Sequence, residues 1–229
     1  MAQIIKGLLF DKDGTLFDFN ATWASWAATF FQTLTGDRAE ATGLGAKLGF
    51  DLPSQRFAPD SVIVAGTPED IASAISKHLP HRSEGELISL MNAAAADAPQ
   101  AEVTPLKPFL TALKRSYRLG VATNDAEGPA RAHLDQAGIT DLFDFIAGYD
   151  SGYGGKPEPG MQNGFCETLG LDPAHVVMVG DSTHDLIAGR RAGMKTVGVL
   201  TGLAPRPELA PHADIVLPSI KALPGWLAE

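Results

Sequence analysis

Residues 7–19 read GLLFDKDGTLFDF. An unbroken apolar run, Gly7 to Phe10, ends on Asp11, and a second acid, Asp13, follows two positions later, ahead of Gly14 and Thr15. A short apolar run without polar alternation reads as a strand covered on both faces, the habit of parallel sheets. The prediction is a buried strand over 4–10. Side chains at i and i+2 of extended backbone point the same way, so Asp11 and Asp13 can face one site where the strand leaves the core.

The same texture recurs downstream. Apolar runs lie at 118–123 (RLGVAT), 143–147 (FDFIA), 175–180 (HVVMVG), 195–200 (KTVGVL) and 213–217 (ADIVL). Helix-like stretches separate them, at about 107–116, 128–137, 159–169 and 184–192. Strands alternating with helices predict an α/β fold, a Rossmann-like parallel sheet with helices on both faces.

Residues 20–97 differ. Trp23, Trp26, Ala27, Phe30, Phe31 and Leu34 fall at i, i+3, i+4, i+7, i+8 and i+11, one face of a helix. TPEDIASAISKHL opens with Thr67 as N-cap, Pro68 at the first helical position and Asp70 where a capping acid belongs; SEGELISLMNAAAAD places Ser83 and Glu86 in the same arrangement. The stretch between, GFDLPSQRFAPDSVIVAG, is expected to be irregular. The organisation is then an α/β core from 1–17 and 101–229, interrupted after its first strand by a mostly helical insertion over 18–100.

The 229 residues suit one large domain or a core with an insertion, and 45% apolar against 20% charged is ordinary for a globular chain. With 27 acids against 18 lysines and arginines the net charge is −9. That argues against a nucleic-acid partner, which needs basic surface. An anionic substrate would need a local cation. The single cysteine, Cys166, stands beside Phe165 and near Leu169 and reads as a packed core thiol. MAQIIKG carries no targeting pattern, and no window reaches the roughly 18 uncharged apolar residues of a membrane span. A reducing, cytoplasmic setting without a membrane partner is expected.

In open parallel sheets, ligands bind beyond the carboxyl ends of the strands. The first strand ends in Asp11, the 118–123 strand in Thr123 and Asn124, and the 175–180 strand leads into Asp181, with Asp185 four residues on. Lys156 lies in GYGGKPEP, after the 143–147 strand. Asp181 and Asp185 are one helical turn apart and can share a face. Clustered carboxylates repel unless a cation sits among them, and oxygen donors suit Mg²⁺. The cluster holds no cysteine and one histidine, His184, which speaks against zinc. Lys156 and Thr123 add the makings of a phosphate pocket. GYGGKPEP is not a nucleotide-binding P-loop, because Pro157 stands where Ser or Thr should follow the lysine.

DKDGTLFD, ATND, GKPEP and GDSTHD, in that order over residues 11–185, resemble the four-motif signature of the haloacid dehalogenase superfamily, and more narrowly its phosphoglycolate phosphatase-like group. The resemblance implies that Asp11 is the nucleophile, forming an aspartyl-phosphate, and that Asp13 is the general acid and then the base for water. It implies that Thr123 and the Asn124 backbone hold phosphate oxygens while Lys156 neutralises Asp11 and phosphate. Mg²⁺ would be held by Asp11, the Asp13 carbonyl and Asp181, with Asp185 in support, through water or by orienting Lys156. It further implies a small phosphorylated metabolite as substrate, phosphoglycolate first among candidates, and a monomer or homodimer. It also implies that 1–17 and 101–229 are the catalytic core and that the insertion over 18–100 is a helical cap domain, and none of the site positions departs from the pattern. The chemistry is coherent: a carboxylate needs no base to activate it, and its repulsion from phosphate is offset by cations held in place.

A phosphomutase would share this chemistry, and a metal-independent dehalogenase would use Asp11 alone. A silent binding protein on this fold should show an eroded motif, and none is eroded. Trp23 and Trp26 are expected in the insertion's own core, with Trp23 a possible cavity residue. Arg56 is expected on the surface; its other reading is a reach to an anionic substrate group. His184 is expected to be an exposed bystander.

Overall fold

Six parallel strands form one sheet in the computed structural model, in the order β5-β4-β1-β6-β7-β8. The structure describes residues 4–58 and 60–228; the N-terminal expectation therefore falls partly on residues 1–3, outside the described ones. The chain runs through β1 (Gly7–Phe10), α1 (Phe19–Thr35), α2 (Arg38–Lys47), a hairpin of β2 (Phe50–Asp51) and β3 (Arg56–Phe57), α3 (Val62–Ala65), α4 (Pro68–Ser76) and α5 (Glu84–Ala96). It continues through α6 (Leu106–Lys114), β4 (Arg118–Ala122), α7 (Glu127–Gln136), β5 (Phe145–Ala147), α8 (Gly160–Leu169), β6 (Val176–Gly180) and α9 (Thr183–Arg191). The last elements are β7 (Lys195–Val199), α10 (Arg206–Leu209), β8 (Ile215–Leu217) and α11 (Leu223–Leu227).

Every predicted core strand is present, trimmed at its ends. The first begins at Gly7 rather than residue 4, because the ladders to Arg118 and Val176 both start there and Ile4 is 72% exposed. Alternate side chains of β1 enter opposite layers. Leu8 and Phe10 pack with Leu106 and Leu110 of α6 and Leu223 of α11, while Leu9 packs with Met161 and Phe165 of α8. Both faces are therefore covered, which is why the strands read as unbroken apolar runs. Gly120 is needed at this packing: a Cβ there would strike the Phe165 ring. Cys166 is free and buried in the same layer, and burial, with Asp172 and Glu167, pushes its thiol up to about 11.

The helical insertion between β1 and α6 has its own apolar cluster. Trp26, Ala27, Phe30, Phe31 and Leu34 of α1 are buried in it as the spacing predicts, and Trp23 packs partly buried at its edge. Thr67 and Asp70 form the reciprocal capping box. Ser83 caps α5 by accepting from the Glu86 amide, but the return bond is absent: Glu86 pairs with Arg82 instead. The stretch expected to be irregular holds the β2–β3 hairpin and α3, whose N-cap Ser61 also donates to the Leu48 carbonyl at 2.7 Å. These elements are too short to leave a periodic trace in sequence. Among the described residues, no helix is long and apolar enough to cross a membrane.

Candidate active site

β1 is the central strand at which the chain order reverses, with β4 on one side and β6 on the other. Loops diverge beyond such a point and leave a crevice. Asp11, Thr123 and Asp181, each one residue past the end of its strand, are delivered there buried. The loop after β5 brings Lys156, also buried. Its ammonium donates to Asp11 Oδ1 at 2.6 Å, Asp185 Oδ1 at 2.6 Å and the Ala122 carbonyl at 2.9 Å. Burial alone would lower this ammonium's proton affinity; Asp11 and Asp185 outweigh it and push the pKa above the ordinary lysine range.

Asn124 positions that lysine with both ends of its amide. Oδ1 accepts from the Lys156 backbone N–H at 2.8 Å, and Nδ2 donates to the Lys156 carbonyl at 3.0 Å. The sequence expectation concerned only the Asn124 backbone; the clamp is a separate contribution of its side chain. Thr123 Oγ1 accepts from the Asp125 amide at 3.1 Å, which turns its own hydroxyl proton elsewhere. Asp185 Oδ2 accepts from the Ser182 backbone at 3.0 Å and hydroxyl at 2.7 Å, so the cap of α9 orients the carboxylate that holds Lys156.

Asp181 is less well compensated. The Thr15 hydroxyl donates to its Oδ1, at a long 3.4 Å. Gly14, at φ 82°, lies so close that a Cβ would overlap the carboxylate. Burial, then Asp11 and Asp185, push Asp181 well above the carboxylate range. Burial likewise raises Asp11 to about 7, with Lys156 opposing and Asp185 and Asp13 adding. Carboxylate oxygens of Asp11, Asp181 and Asp185 lie within 4.8 Å of one another. Two buried acids with raised proton affinities, in an all-oxygen group, fit a hard divalent cation. Asp13 is outside that carboxylate group; its expected contribution to a metal was the carbonyl.

The carboxylate of Asp13 turns to a residue that sequence reading passed over. Lys12 is fully buried, with Nζ 2.7 Å from Asp13 Oδ2, 3.3 Å from Asp125 Oδ2 and 3.0 Å from His133 Nδ1. Burial would lower its ammonium, but Asp13 and Asp125 outweigh that and raise it. Burial pushes Asp125 up to about 6 against the pull of Lys12. Alternation offered a signal: if Asp11 and Asp13 face the crevice, the residue between them faces the protein, where a lysine demands acids. Asp125, inside the ATND motif, was the acid to suspect. His133, far off on α7, left no comparable trace.

Asp11, Asp13, Thr123, Asn124, Lys156, Asp181 and Asp185 all line one cavity between the sheet edge and the insertion. Its volume is about 80 Å³, far below the roughly 300–1,000 Å³ of sites for drug-sized ligands, so it suits a small molecule. Trp23 and Trp26 both line it, so Trp26 serves the cavity as well as the insertion's core. His184 is half-buried in the wall rather than an exposed bystander, because the first turn of α9 faces the crevice. Arg56 is exposed on β3 and is not a wall residue.

Comparison with known proteins agrees with this geometry. The chain is 28% identical over 220 residues to the probable phosphatase IndB of Dickeya dadantii, covering 95% of this chain and 91% of that one. It is 28% identical over 233 residues to a phosphoglycolate phosphatase of Aquifex aeolicus, covering 98% and 100%. The crystal structure of a predicted phosphoglycolate phosphatase from Haemophilus somnus superposes with a TM-score of 0.73 at 21% identity over 99% of both chains, a likeness of fold. The model of the haloacid dehalogenase-like hydrolases matches residues 5–193, and the chain belongs to that family.

Proposed function

We propose that the protein is a Mg²⁺-dependent phosphomonoester hydrolase working through an aspartyl-phosphate on Asp11. The observation that carries this reading is Lys156, buried and bonded at once to Asp11 and Asp185 beside the poorly compensated Asp181. In the first step an Asp11 oxygen bonds to phosphorus, the ester P–O bond breaks, and Asp13 gives its proton to the leaving oxygen. In the second, Asp13 takes a proton from water as the water oxygen bonds to phosphorus, the bond from Asp11 to phosphorus breaks, and inorganic phosphate leaves with Asp11 restored as a carboxylate. Asp13 Oδ1 has no protein partner among the described residues, so it is the oxygen that serves the substrate. Lys156 and the Thr123 hydroxyl meet phosphate oxygens, and Asn124 keeps the lysine in place. Asp11, Asp181 and the Asp13 carbonyl would hold Mg²⁺, with Asp185 in support; when bound it supplies positive charge between carboxylate and phosphate. Residues 18–100 act as the cap over a core of 1–17 and 101–229, excluding water during transfer.

A dehalogenase using Asp11 alone would leave Asp13 without a task, and Asp181 as well, although Asp181 is buried with its proton affinity raised. A sugar phosphomutase needs room for two phosphoryl positions, which a cavity of about 80 Å³ does not favour. Phosphate release from a panel of small esters tests the reading: it should stop in EDTA and return with Mg²⁺. Turnover that persists in EDTA would sink it.

The metal dependence carries a pH signature. Asp11 is pushed up to about 7 in the metal-free site, and Asp181 is raised as well. Below that pH a proton occupies an oxygen the cation needs; above it the oxygen is vacant. Mg²⁺ affinity should therefore rise with pH, by roughly tenfold from pH 6 to pH 8, as read by calorimetric titration. An unchanged affinity would contradict the assignment of Asp11 as a ligand.

The leaving group meets Phe19, Trp23, Trp26, Ile63, Ile71 and Met91. Lys156 is the only lysine or arginine among the described wall residues, and two carboxylates already hold it. A leaving group that is small and uncharged fits this wall better than the carboxylate of phosphoglycolate. We expect 2-hydroxyethyl phosphate, its near-isosteric neutral counterpart, to show about tenfold higher kcat/KM than phosphoglycolate. The reverse preference would return phosphoglycolate to first place.

A further inference from the structure

His133 is fully buried on α7 and joins two parts of the molecule. Its Nδ1 lies 3.0 Å from the Lys12 ammonium, and its Nε2 lies 2.7 Å from the carbonyl oxygen of Ala95, in the last turn of α5. An ammonium can only donate and a carbonyl can only accept. The Nδ1 atom is therefore the bare acceptor and Nε2 carries the proton, which makes the ring neutral in a single tautomer. Burial, reinforced by the Lys12 charge, pushes His133 down to about 4, in keeping with that state.

The second insertion helix bordering this cluster is α1. Its Trp23 ring packs edge-on to His133 with centroids 6.3 Å apart, and Lys12 Nζ lies 5.4 Å from a Trp23 ring centroid. Lys12 in turn holds Asp13 Oδ2 at 2.7 Å. An unbroken series of contacts thus runs from α1 and α5, through His133 and Lys12, to one oxygen of Asp13.

We propose that Lys12 and His133 are positioning residues that hold Asp13 in line for proton transfer, and that they do so only while α1 and α5 are docked against α7. This rests on the reading of Asp13 as general acid. The physical reason is competition for one ammonium. Asp13 and His133 divide its donors, while Asp125 waits at 3.3 Å, close enough to attract it but off the hydrogen-bonding direction. Without the His133 acceptor, Lys12 swings towards Asp125 and Asp13 loses its anchor. Without the Ala95 carbonyl, the imidazole tautomer is no longer specified, and a proton on Nδ1 would oppose Lys12. Docking of the insertion thereby assembles the acid, so a proton is delivered only over a closed site.

A leaving-group series tests this with the intact, Mg²⁺-loaded protein. 2,2,2-Trifluoroethyl phosphate, close to ethyl phosphate in size, leaves as a far less basic alkoxide and needs less protonation, whereas ethyl phosphate must be protonated as it leaves. In His133→Phe, kcat for ethyl phosphate should fall about 10²-fold, the lower end of what general acid catalysis contributes, while kcat for 2,2,2-trifluoroethyl phosphate falls less than about tenfold. His133→Asn, which keeps an acceptor near the Nδ1 position, should recover part of the ethyl phosphate rate. Trp23→Leu, at a partly buried position, should show the same selectivity in weaker form and serves if the His133 variants do not fold. Equal loss on both esters, or no loss on either, would overturn the proposal and leave the hydrolase reading intact. Failure of the unmodified protein to release phosphate from either ester with Mg²⁺ would remove both.

Discussion

Asp11→Asn should lower phosphate release by about 10⁴-fold or more, the scale seen when a nucleophile is removed from an otherwise intact site. The substitution changes little but the chemistry. Asparagine has nearly the same shape, and its amide oxygen can still accept from Lys156, which now donates to Asp11 at 2.6 Å and keeps its second bond to Asp185. What is lost is the negative oxygen that bonds to phosphorus. Unmodified protein quenched during turnover should carry a phosphoryl group on the peptide containing Asp11, and the variant should carry none. Hydrolysis at the unmodified rate would remove the mechanism.

A folding control comes from the same residue. Asp11 is pushed up to about 7 from an ordinary value of 3.8. In the metal-free protein it therefore binds a proton that the unfolded chain has already released, between about pH 4 and 7. Its contribution to stability is fully present below the unfolded value and is lost as pH rises through 7. Asparagine has no such slope. Urea denaturation in EDTA should show the variant gaining on the unmodified protein as pH rises from 4 to 8, so lost activity at pH 8 cannot be ascribed to unfolding.

Lys12→Met has the largest effect expected on stability. Methionine fills much the same volume, so the change tests charge rather than packing. It leaves the carboxylates of Asp13 and Asp125, whose side chains are only 13% and 7% exposed, without the ammonium that now lies 2.7 and 3.3 Å from them. Removing one partner of a buried ion group costs about 3–5 kcal/mol, and in a chain of this size each kcal/mol lowers Tm by roughly 2–4 °C. Calorimetry should therefore show Tm falling by roughly 6–20 °C. The loss should be greater at pH 8 than at pH 5, because protonation relieves Asp125, already raised to about 6. Adding Asp125→Asn should restore part of the stability, since it removes one of the stranded charges. A Tm within about 2 °C of the unmodified protein would show that Lys12 is not paired as described.

The amino-acid sequence determined the fold class and the sheet edge that carries the candidate site. GLLF, RLGVA and VVMVG are apolar at every position because both sides of a parallel sheet are covered, and that leaves a local signal. Asp11, Thr123, Asp181 and Lys156 were legible because open α/β sheets expose their ligands beyond strand ends, so position along the chain already implies position in the site. The Thr67 cap was legible for the same reason: donor and acceptor lie three residues apart.

Only the tertiary structure decided what Asp13 leans on. Lys12 is adjacent to it in sequence, yet His133 lies 121 residues from Lys12, and Ala95 and Trp23 come from separate helices of the insertion. Lysine and histidine are ordinary surface residues until burial removes water; only then does each donor require a particular acceptor. That requirement is set by which backbone segments meet in three dimensions, and no spacing along the chain encodes it.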